Sequence, residues 1–172
     1  EPRNPLNERQ RACFDTLRKR LPPTPASLAN SGGTFLGPDY HYDLVRPGIA
    51  LYGGRASIAH APFAPVVTLE ARILQIHDVE AGQSVGYGAV EKLAQRTRIA
   101  TLGVGYADGY HRLAGSSDQK PGGFGHIGEA YVPIVGRVSM DLITVDVGEA
   151  PEARVGDWVE LIGHHIPLDD VA

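Results

Sequence analysis

One stretch decides the fold: Leu44-Val45-Arg46-Pro47-Gly48-Ile49-Ala50-Leu51-Tyr52-Gly53. A buried segment, 42–45, is predicted to form a strand that ends at the turn Arg46-Pro47-Gly48. Upstream, the apolar residues 27–29 predict another short strand, and the polar and glycine-rich residues 30–33 follow it as a loop. Strand, loop, short element and strand in this order are typical of the last units of a β/α barrel.

An amphipathic helix is predicted before these segments. Asn4 is typical of an N-cap, and Pro5 of the first helical position. Apolar side chains then recur four residues apart, so the pattern predicts a helix that runs to about Leu21 and stops at Pro22-Pro23. Residues 1–57 are therefore predicted to be the C-terminal end of an incomplete β/α (TIM-like) barrel.

After about Ser57 the pattern changes to short strands. Pro62 and Pro65 flank a predicted linker, and apolar residues then alternate from Val67 to Ile73, as they do in a strand. Four further strands are predicted, at 97–104, 130–135, 142–147 and 158–162. We expect residues 58–172 to form a mainly β domain, a small barrel or sandwich. The expected fold class is therefore α/β plus all-β.

Composition excludes several classes of protein. The 172 residues are 42% hydrophobic and 21% charged, which is typical of a globular chain, and the net charge of −4 argues against non-specific nucleic-acid binding. No apolar run reaches the roughly 18 residues of a membrane span, and no signal-peptide pattern is present. The single cysteine, Cys13, fits a reducing compartment, so a cytoplasmic protein is expected. The sequence starts at Glu1 and stops at Ala172, and we expect it to be a piece of a longer chain.

Three groups of residues could carry chemistry. Ser31 and the turn 46–48 follow neighbouring barrel strands, where barrels often bind phosphate, but a pair of turns with a structural arginine fits equally. Tyr87 lies between two glycines, yet a tyrosine with a pKa of about 10 needs a cationic neighbour to act as a base. The spacing G-x-G-x-x-G at 123–128 predicts a hairpin loop, since no strand precedes it and no helix pattern follows. No metal-binding motif is present, and no metal is expected.

Four motifs together resemble the C-terminal half of the alanine racemase family. They are the stretch 44–53, Val85-Gly86-Tyr87-Gly88, Gly105-Tyr106-Ala107-Asp108-Gly109 and Gly136-Arg137-Val138-Ser139-Met140-Asp141. These fold-type-III enzymes use pyridoxal phosphate (PLP) and two bases to interconvert L- and D-alanine, which supplies D-alanine for peptidoglycan. The resemblance covers nearly the whole chain.

The resemblance implies a PLP site in the barrel part. Ser31, Gly48 and Ile49 match residues that bind the phosphate, and Arg46 matches the arginine that faces the pyridine nitrogen. Because arginine stays protonated, it donates to that nitrogen and leaves the ring uncharged. A neutral ring withdraws electrons less strongly, which favours prompt reprotonation over transamination.

The resemblance also implies a catalytic role for Tyr87, as the base on the L-alanine face. The second base is the lysine that forms the aldimine with PLP. None of the chain's lysines, at 19, 92 and 120, lies in the family's lysine motif. We therefore expect that lysine to lie outside this chain and the chain alone to be inactive.

The remaining implied residues belong to substrate binding and access. Tyr106, Met140 and Asp141 match the substrate pocket, while Arg112 and Arg137 match the entry corridor. Core filling by Met140 and solvated charge on the arginines remain open alternatives. The family forms homodimers in which the β domain of one subunit closes over the barrel of the other.

Two alternatives remain open. A broad-specificity amino-acid racemase or a serine racemase would carry the same motifs. PLP-dependent decarboxylases place an acidic residue near the pyridine nitrogen, so Arg46 argues against them. In a different class, the chain could be a non-catalytic β-domain module that only mediates association.

Overall fold

The computed structural model describes residues 2–57 and 63–171. The chain divides into two compact units, Glu1–Val66 and Val67–Ala172. Pro62 of the predicted linker lies outside the described residues, as does residue 58, where the predicted second domain begins. The domain boundary at 57/58 therefore stays a prediction.

The first unit begins with helix α1, Pro5–Arg18. The Asn4 side chain accepts a hydrogen bond from the Leu6 N–H at 3.0 Å, so the predicted N-cap is present. The helix ends three residues before the predicted end at Leu21. There the N–H groups of Arg20 and Leu21 bond to carbonyls only three residues back, and this tighter turn leads into the two prolines.

The two predicted strands of this unit are much shorter than expected. Residues 27–29 and 42–45 form no extended strand, and Asn30 and Arg46 join in one isolated parallel bridge. The Arg46 N–H donates to the Ala29 carbonyl at 2.8 Å. Tyr42 lies in a turn with φ of 53°, and Pro47 has no N–H to continue the ladder. The segments are parallel neighbours, as barrel strands would be, but they pair at one position.

Short helices follow each of these two segments. Helix α2, Ser31–Thr34, comes after the first, and a 3-10 turn, Ile49–Tyr52, comes after the second. Another 3-10 turn, Pro38–Tyr40, lies between them.

The second unit is built on a six-stranded antiparallel sheet. Its strands in chain order are β1 Leu69–Val79, β4 Thr97–Leu102, β5 Phe124–Ile127, β6 Ala130–Pro133, β7 Ile143–Asp146 and β8 Trp158–Ile162. The long β1 pairs with β8 through its first half and with β4 through its second half, on either side of a bulge at Ile73 and Gln75. The order is β6-β5-β8-β1-β4-β7, and a bridge between Ile134 and Val145 joins its two ends. The sheet is therefore a nearly closed small barrel.

The core of this barrel comes from alternate positions of its strands. In β7 and β8 every second residue is buried, which is the period expected when one face of a strand packs inward. The fully buried side chains are aliphatic, with Ile73, Leu102, Ile143 and Leu161 among the largest. Burying each of them contributes about 1.5–3 kcal/mol.

One strand of the main sheet was not predicted. β5 covers most of the G-x-G-x-x-G segment, which was expected to be a loop, and it forms a hairpin with β6. A Cβ on Gly125 would lie 2.7 Å from Val159 Cγ1, so this glycine allows close packing inside the barrel. Only Gly128, with φ of 60°, lies in the tight turn. The prediction of a loop was wrong because glycine can signal close packing as well as a turn.

Two very short strands complete the second unit. β2, Ser84–Val85, and β3, Glu91–Lys92, pair antiparallel with each other outside the main sheet. A final short helix, α3, covers Leu168–Val171. The hairpin of β2 and β3 was not predicted, since two-residue strands leave no periodic pattern.

Glu160 of β8 is a largely buried carboxylate with several donors. Its Oε1 accepts from the backbone N–H groups of His165 and Ile166 at 2.7 and 2.9 Å, and its Oε2 lies 3.2 Å from His165 Nδ1. Burial disfavours the charge, but these hydrogen bonds outweigh it and hold the pKa of Glu160 below its usual value.

Glu160→Gln is therefore expected to make the stability of the fold less sensitive to pH in the acid range. A carboxyl whose pKa is lower in the folded state stabilises the fold above its unfolded pKa, usually 4.5. That contribution is lost as the pH falls through the folded pKa. The Tm of the parent should fall more steeply below pH 4.5 than that of the variant. Glu129→Gln, in the exposed β5–β6 turn, should keep the parent slope, and equal slopes for all three proteins would refute the assignment.

Candidate active site

In the first unit, Ser31 and Gly48 lie next to each other. Ser31 is buried, and its Oγ accepts from the Gly48 N–H at 2.7 Å and from the Ala50 N–H at 3.5 Å. Because two N–H groups converge on this oxygen, its own proton is directed away from them, towards an acceptor elsewhere. Gly48 and Ile49 are exposed, so a ligand can approach this point.

Arg46 is held by the segment that precedes Ser31. Its guanidinium donates to Ser27 Oγ and, at 3.4 Å, to the Leu28 carbonyl, and its backbone forms the bridge to Asn30. A cavity of about 340 Å³ is lined in part by Asn30, Gly32, Gly33 and Arg46. Ser31 and Gly48 are thus in contact although they lie 17 positions apart in the sequence, and Arg46 pairs with Asn30, the residue before Ser31.

In the second unit, Tyr87 projects from the turn between β2 and β3. It begins a 3-10 turn, Tyr87–Ala89, and the residue is 72% exposed. The neighbouring Gly86 and Gly88 have φ of 78° and 77°, a region that favours glycine, and Ala89 adopts φ of 49°. This backbone places the tyrosine on the surface and outside the hydrophobic core.

Met140 lies directly against the Gly105-Tyr106 segment. The Tyr106 N–H donates to the Ser139 carbonyl at 3.0 Å, and the Ala107 N–H donates to the Met140 carbonyl at 2.9 Å. A Cβ on Gly105 would lie only 2.2 Å from the Met140 carbonyl oxygen, so glycine is required at this position. The side chains of Tyr106 and Met140 are exposed, and core filling therefore does not explain Met140.

The two predicted corridor arginines each lie beside a predicted site tyrosine. The Arg112 guanidinium lies over the Tyr106 ring, 5.2 Å from its centroid. Arg137 and Tyr87 line the same shallow cavity of about 330 Å³, together with Ser139. The exposed Asp141 follows Met140 directly in the chain.

The predicted residues thus form two groups, one in each unit. Ser31, Arg46, Gly48 and Ile49 belong to the first, while the tyrosines, the methionine and the corridor arginines belong to the second. Among the described residues, no three His, Cys, Asp or Glu side chains are placed to hold a metal ion. None of the helices in residues 2–57 and 63–171 is long and apolar enough to cross a membrane.

Sequence reasoning missed a polar cluster beside Tyr87. Glu91 and the buried Ser116 both bind the backbone N–H of Gly136, at 2.6 and 2.7 Å. The only signal in the sequence is Glu91 itself, an acidic residue four positions after Tyr87. In a two-residue strand this spacing does not indicate that the two residues work together.

Two family models match the chain, one in each unit. Residues 1–56 match the N-terminal domain of alanine racemase, and residues 66–172 match its C-terminal domain. The alanine racemases of Rhizobium meliloti and Rhodospirillum rubrum are 46% and 47% identical to it over its whole length. The chain covers 48% and 46% of these two proteins, so it spans about half the length of the curated relatives it matches.

Solved structures agree with these matches. The alanine racemase from Bartonella henselae, a crystal structure with covalently bound pyridoxal phosphate, has a TM-score of 0.82 and 41% identity over 99% of this chain and 47% of its own. The biosynthetic alanine racemase from Pseudomonas aeruginosa has a TM-score of 0.80 and 40% identity over the same shares. The expected fold class, the end of a β/α barrel followed by a mainly β domain, is confirmed. This chain belongs to the alanine racemase family.

Proposed function

We propose that this chain supplies part of the active site of a PLP-dependent alanine racemase. The observation that carries the proposal is the hydrogen bond from the Gly48 N–H to Ser31 Oγ, which joins two loops that the family uses for one phosphate. The whole enzyme would interconvert L- and D-alanine and so supply D-alanine for peptidoglycan. The chain also has the family's second group of site residues, around the exposed Tyr87.

The residues of the first unit fit the phosphate and ring of PLP. The Ser31 hydroxyl can donate to a phosphate oxygen, because its oxygen already accepts from Gly48 and Ala50. Gly48 has no side chain to block the approach of an anion. Arg46 offers five N–H donors, of which Ser27 and Leu28 engage only some.

Tyr87 is proposed as the base that moves the α-proton on the L-alanine face. When bound, PLP withdraws electrons from the α-carbon, and the protein must then remove and return a proton on either face. A lysine outside this chain would hold the cofactor and serve the D face. Three residues would border the substrate: Tyr106, Met140 and Asp141. Arg112 and Arg137 would line its entry.

Arg46 is proposed to keep the reaction a racemisation. With PLP bound, its guanidinium would donate a hydrogen bond to the ring nitrogen. Because the guanidinium stays protonated and cannot accept a hydrogen bond, that nitrogen would stay unprotonated. After one of the two bases has taken the α-proton, the other base would promptly deliver a proton to the opposite face of the same carbon. We also propose that the complete protein is a cytoplasmic homodimer. The second unit of one subunit would complete the PLP site in the β/α barrel of the other.

A chimera tests the proposed function. This chain would replace the matching stretch of the Rhizobium meliloti alanine racemase, which supplies the remaining half. We expect the chimera to racemise L- and D-alanine within about tenfold of the parent rate, or about 1.4 kcal/mol in the barrier. The unmodified enzyme is the control, and circular dichroism of the conversion of one enantiomer to the other is the measurement.

The same assay separates the alternatives. A broad-specificity or serine racemase would convert L-serine as fast as L-alanine, whereas the proposal expects alanine to be the faster substrate. A non-catalytic association module would give a folded chimera that binds PLP but does not racemise any amino acid. That last result would contradict the proposal.

A further inference from the structure

The turn that carries Tyr87 is short and is closed at its foot by Glu91. Val85 and Glu91 are cross-strand partners in the β2–β3 hairpin, so the five residues 86–90 leave and return at this pair. We call these residues the Tyr87 loop. Because the Tyr87 side chain is mostly exposed, packing around the ring does not fix its direction. The backbone of the loop has to do so.

That backbone lies against the segment Gly136-Arg137. A Cβ on Gly86 would be 3.1 Å from the Arg137 nitrogen, and a Cβ on Gly136 would be 2.8 Å from the Val85 carbonyl oxygen. Both glycines also have positive φ. The start of the Tyr87 loop therefore touches Gly136-Arg137 backbone to backbone, and a movement of one would displace the other.

Glu91 fixes the position of this segment. Its Oε2 accepts from the Gly136 N–H at 2.6 Å and from the Ser116 hydroxyl, whose oxygen also accepts from the Gly136 N–H at 2.7 Å. The Ser116 N–H donates to the Gly136 carbonyl at 2.9 Å. Hydrogen bonds to a carboxylate are roughly twice as strong as those between neutral groups. The Gly136 N–H is thus held by Glu91 at the foot of the Tyr87 loop, and the Gly136 carbonyl is held by Ser116, which itself donates to Glu91.

The neighbouring loop fixes the strand on which Glu91 lies. The Asp118 N–H donates to the Val90 carbonyl at 2.9 Å, and the Lys92 N–H donates to Asp118 Oδ1 at 2.8 Å. Glu91 is therefore anchored on both sides along the chain. Its carboxylate therefore accepts the hydrogen bonds of Gly136 and Ser116 from a fixed position.

We propose that Glu91 is a positioning residue for Tyr87: it holds Gly136-Arg137 against the Tyr87 loop and so aims the phenol at the substrate. The inference rests on the proposed role of Tyr87 in proton transfer. Glu91 itself does not touch the substrate. Its loss should therefore affect the steps that Tyr87 performs and leave those of the lysine nearly unchanged.

The test is the exchange of the α-proton in deuterated water, measured separately for L- and D-alanine in the chimera. Because a misplacement of about 1 Å can cost about 10²-fold in rate, Glu91→Ala should slow exchange from L-alanine by about 10- to 100-fold. Exchange from D-alanine should change much less. Glu91→Gln keeps an oxygen that can accept from Gly136, so it should recover much of the loss. Glu129→Ala, in the exposed β5–β6 turn, should leave both rates unchanged.

A second variant keeps the test decisive if Glu91→Ala does not fold. Ser116→Ala removes the other acceptor of the Gly136 N–H. Like Glu91→Gln, it should lower the rate of exchange from L-alanine relative to the rate from D-alanine. An equal fall of both rates in the folded variants, or no change in either, would overturn the inference. Failure of the proposed function looks different: Tyr87→Phe itself would then slow both faces equally.

Discussion

Tyr87→Phe in the chimera is expected to lower racemisation by about 10²- to 10⁴-fold, which is the usual worth of a positioned acid–base group. The substitution removes only the hydroxyl, and the ring stays on the same exposed turn. The lysine proposed to hold the cofactor is untouched. The visible absorbance of bound PLP should therefore remain as it is in the unsubstituted chimera.

Tyr131→Phe is the matched control, since Tyr131 is also an exposed tyrosine of the second unit. It should racemise alanine at the unsubstituted rate. A Tyr87→Phe chimera that keeps full racemisation would remove Tyr87 from the reaction. Loss of PLP binding together with activity would instead point to a structural role.

Arg46→Glu should change the course of the reaction as well as its rate. The arginine is proposed to donate to the ring nitrogen, whereas a carboxylate would accept from it and so favour the protonated ring. A protonated ring withdraws electrons more strongly, so the α-carbon should be reprotonated less promptly. We expect racemisation to fall by about 10²- to 10³-fold, as when a preorganised donor is removed. Slow transamination of alanine to pyruvate should appear, with a new long-wavelength absorbance band.

Arg46→Lys is the control for this experiment. Lysine keeps a positive donor but lacks the planar fork that contacts both Ser27 and Leu28. It should therefore lose less activity and show no transamination. Transamination in Arg46→Lys to the same extent as in Arg46→Glu would show that the charge at this position does not control the outcome.

The fold was predictable where a pattern repeats over several residues. Local signals include the alternating residues of β7 and β8 and the N-cap at Asn4. The structure contains both strands and the cap. The pairing of Asn30 with Arg46 could not be read in this way, because a bridge of one residue leaves no period. β5 was missed because Gly125 contacts Val159, and a contact between distant residues is not visible in a local pattern.

The site was predictable only in part, for a similar reason. The resemblance named Ser31 and Gly48 individually, and the structure adds the hydrogen bond between them. Glu91 had no motif to reveal it, since its role depends on Gly136, forty-five residues away. Residues that touch a ligand leave a motif in the sequence, whereas residues that hold such residues in place often do not.

The most direct test of the central claim is the face preference of α-proton exchange in the Tyr87→Phe chimera. The claim is that Tyr87 serves one face of the α-carbon while a lysine from the other half of the enzyme serves the opposite face. In deuterated water, NMR should show D-alanine exchanging its α-proton faster than L-alanine, with the L-alanine rate lowered by about 10²-fold or more. Equal losses for the two enantiomers would contradict a face-specific base at Tyr87 and the mechanism that depends on it.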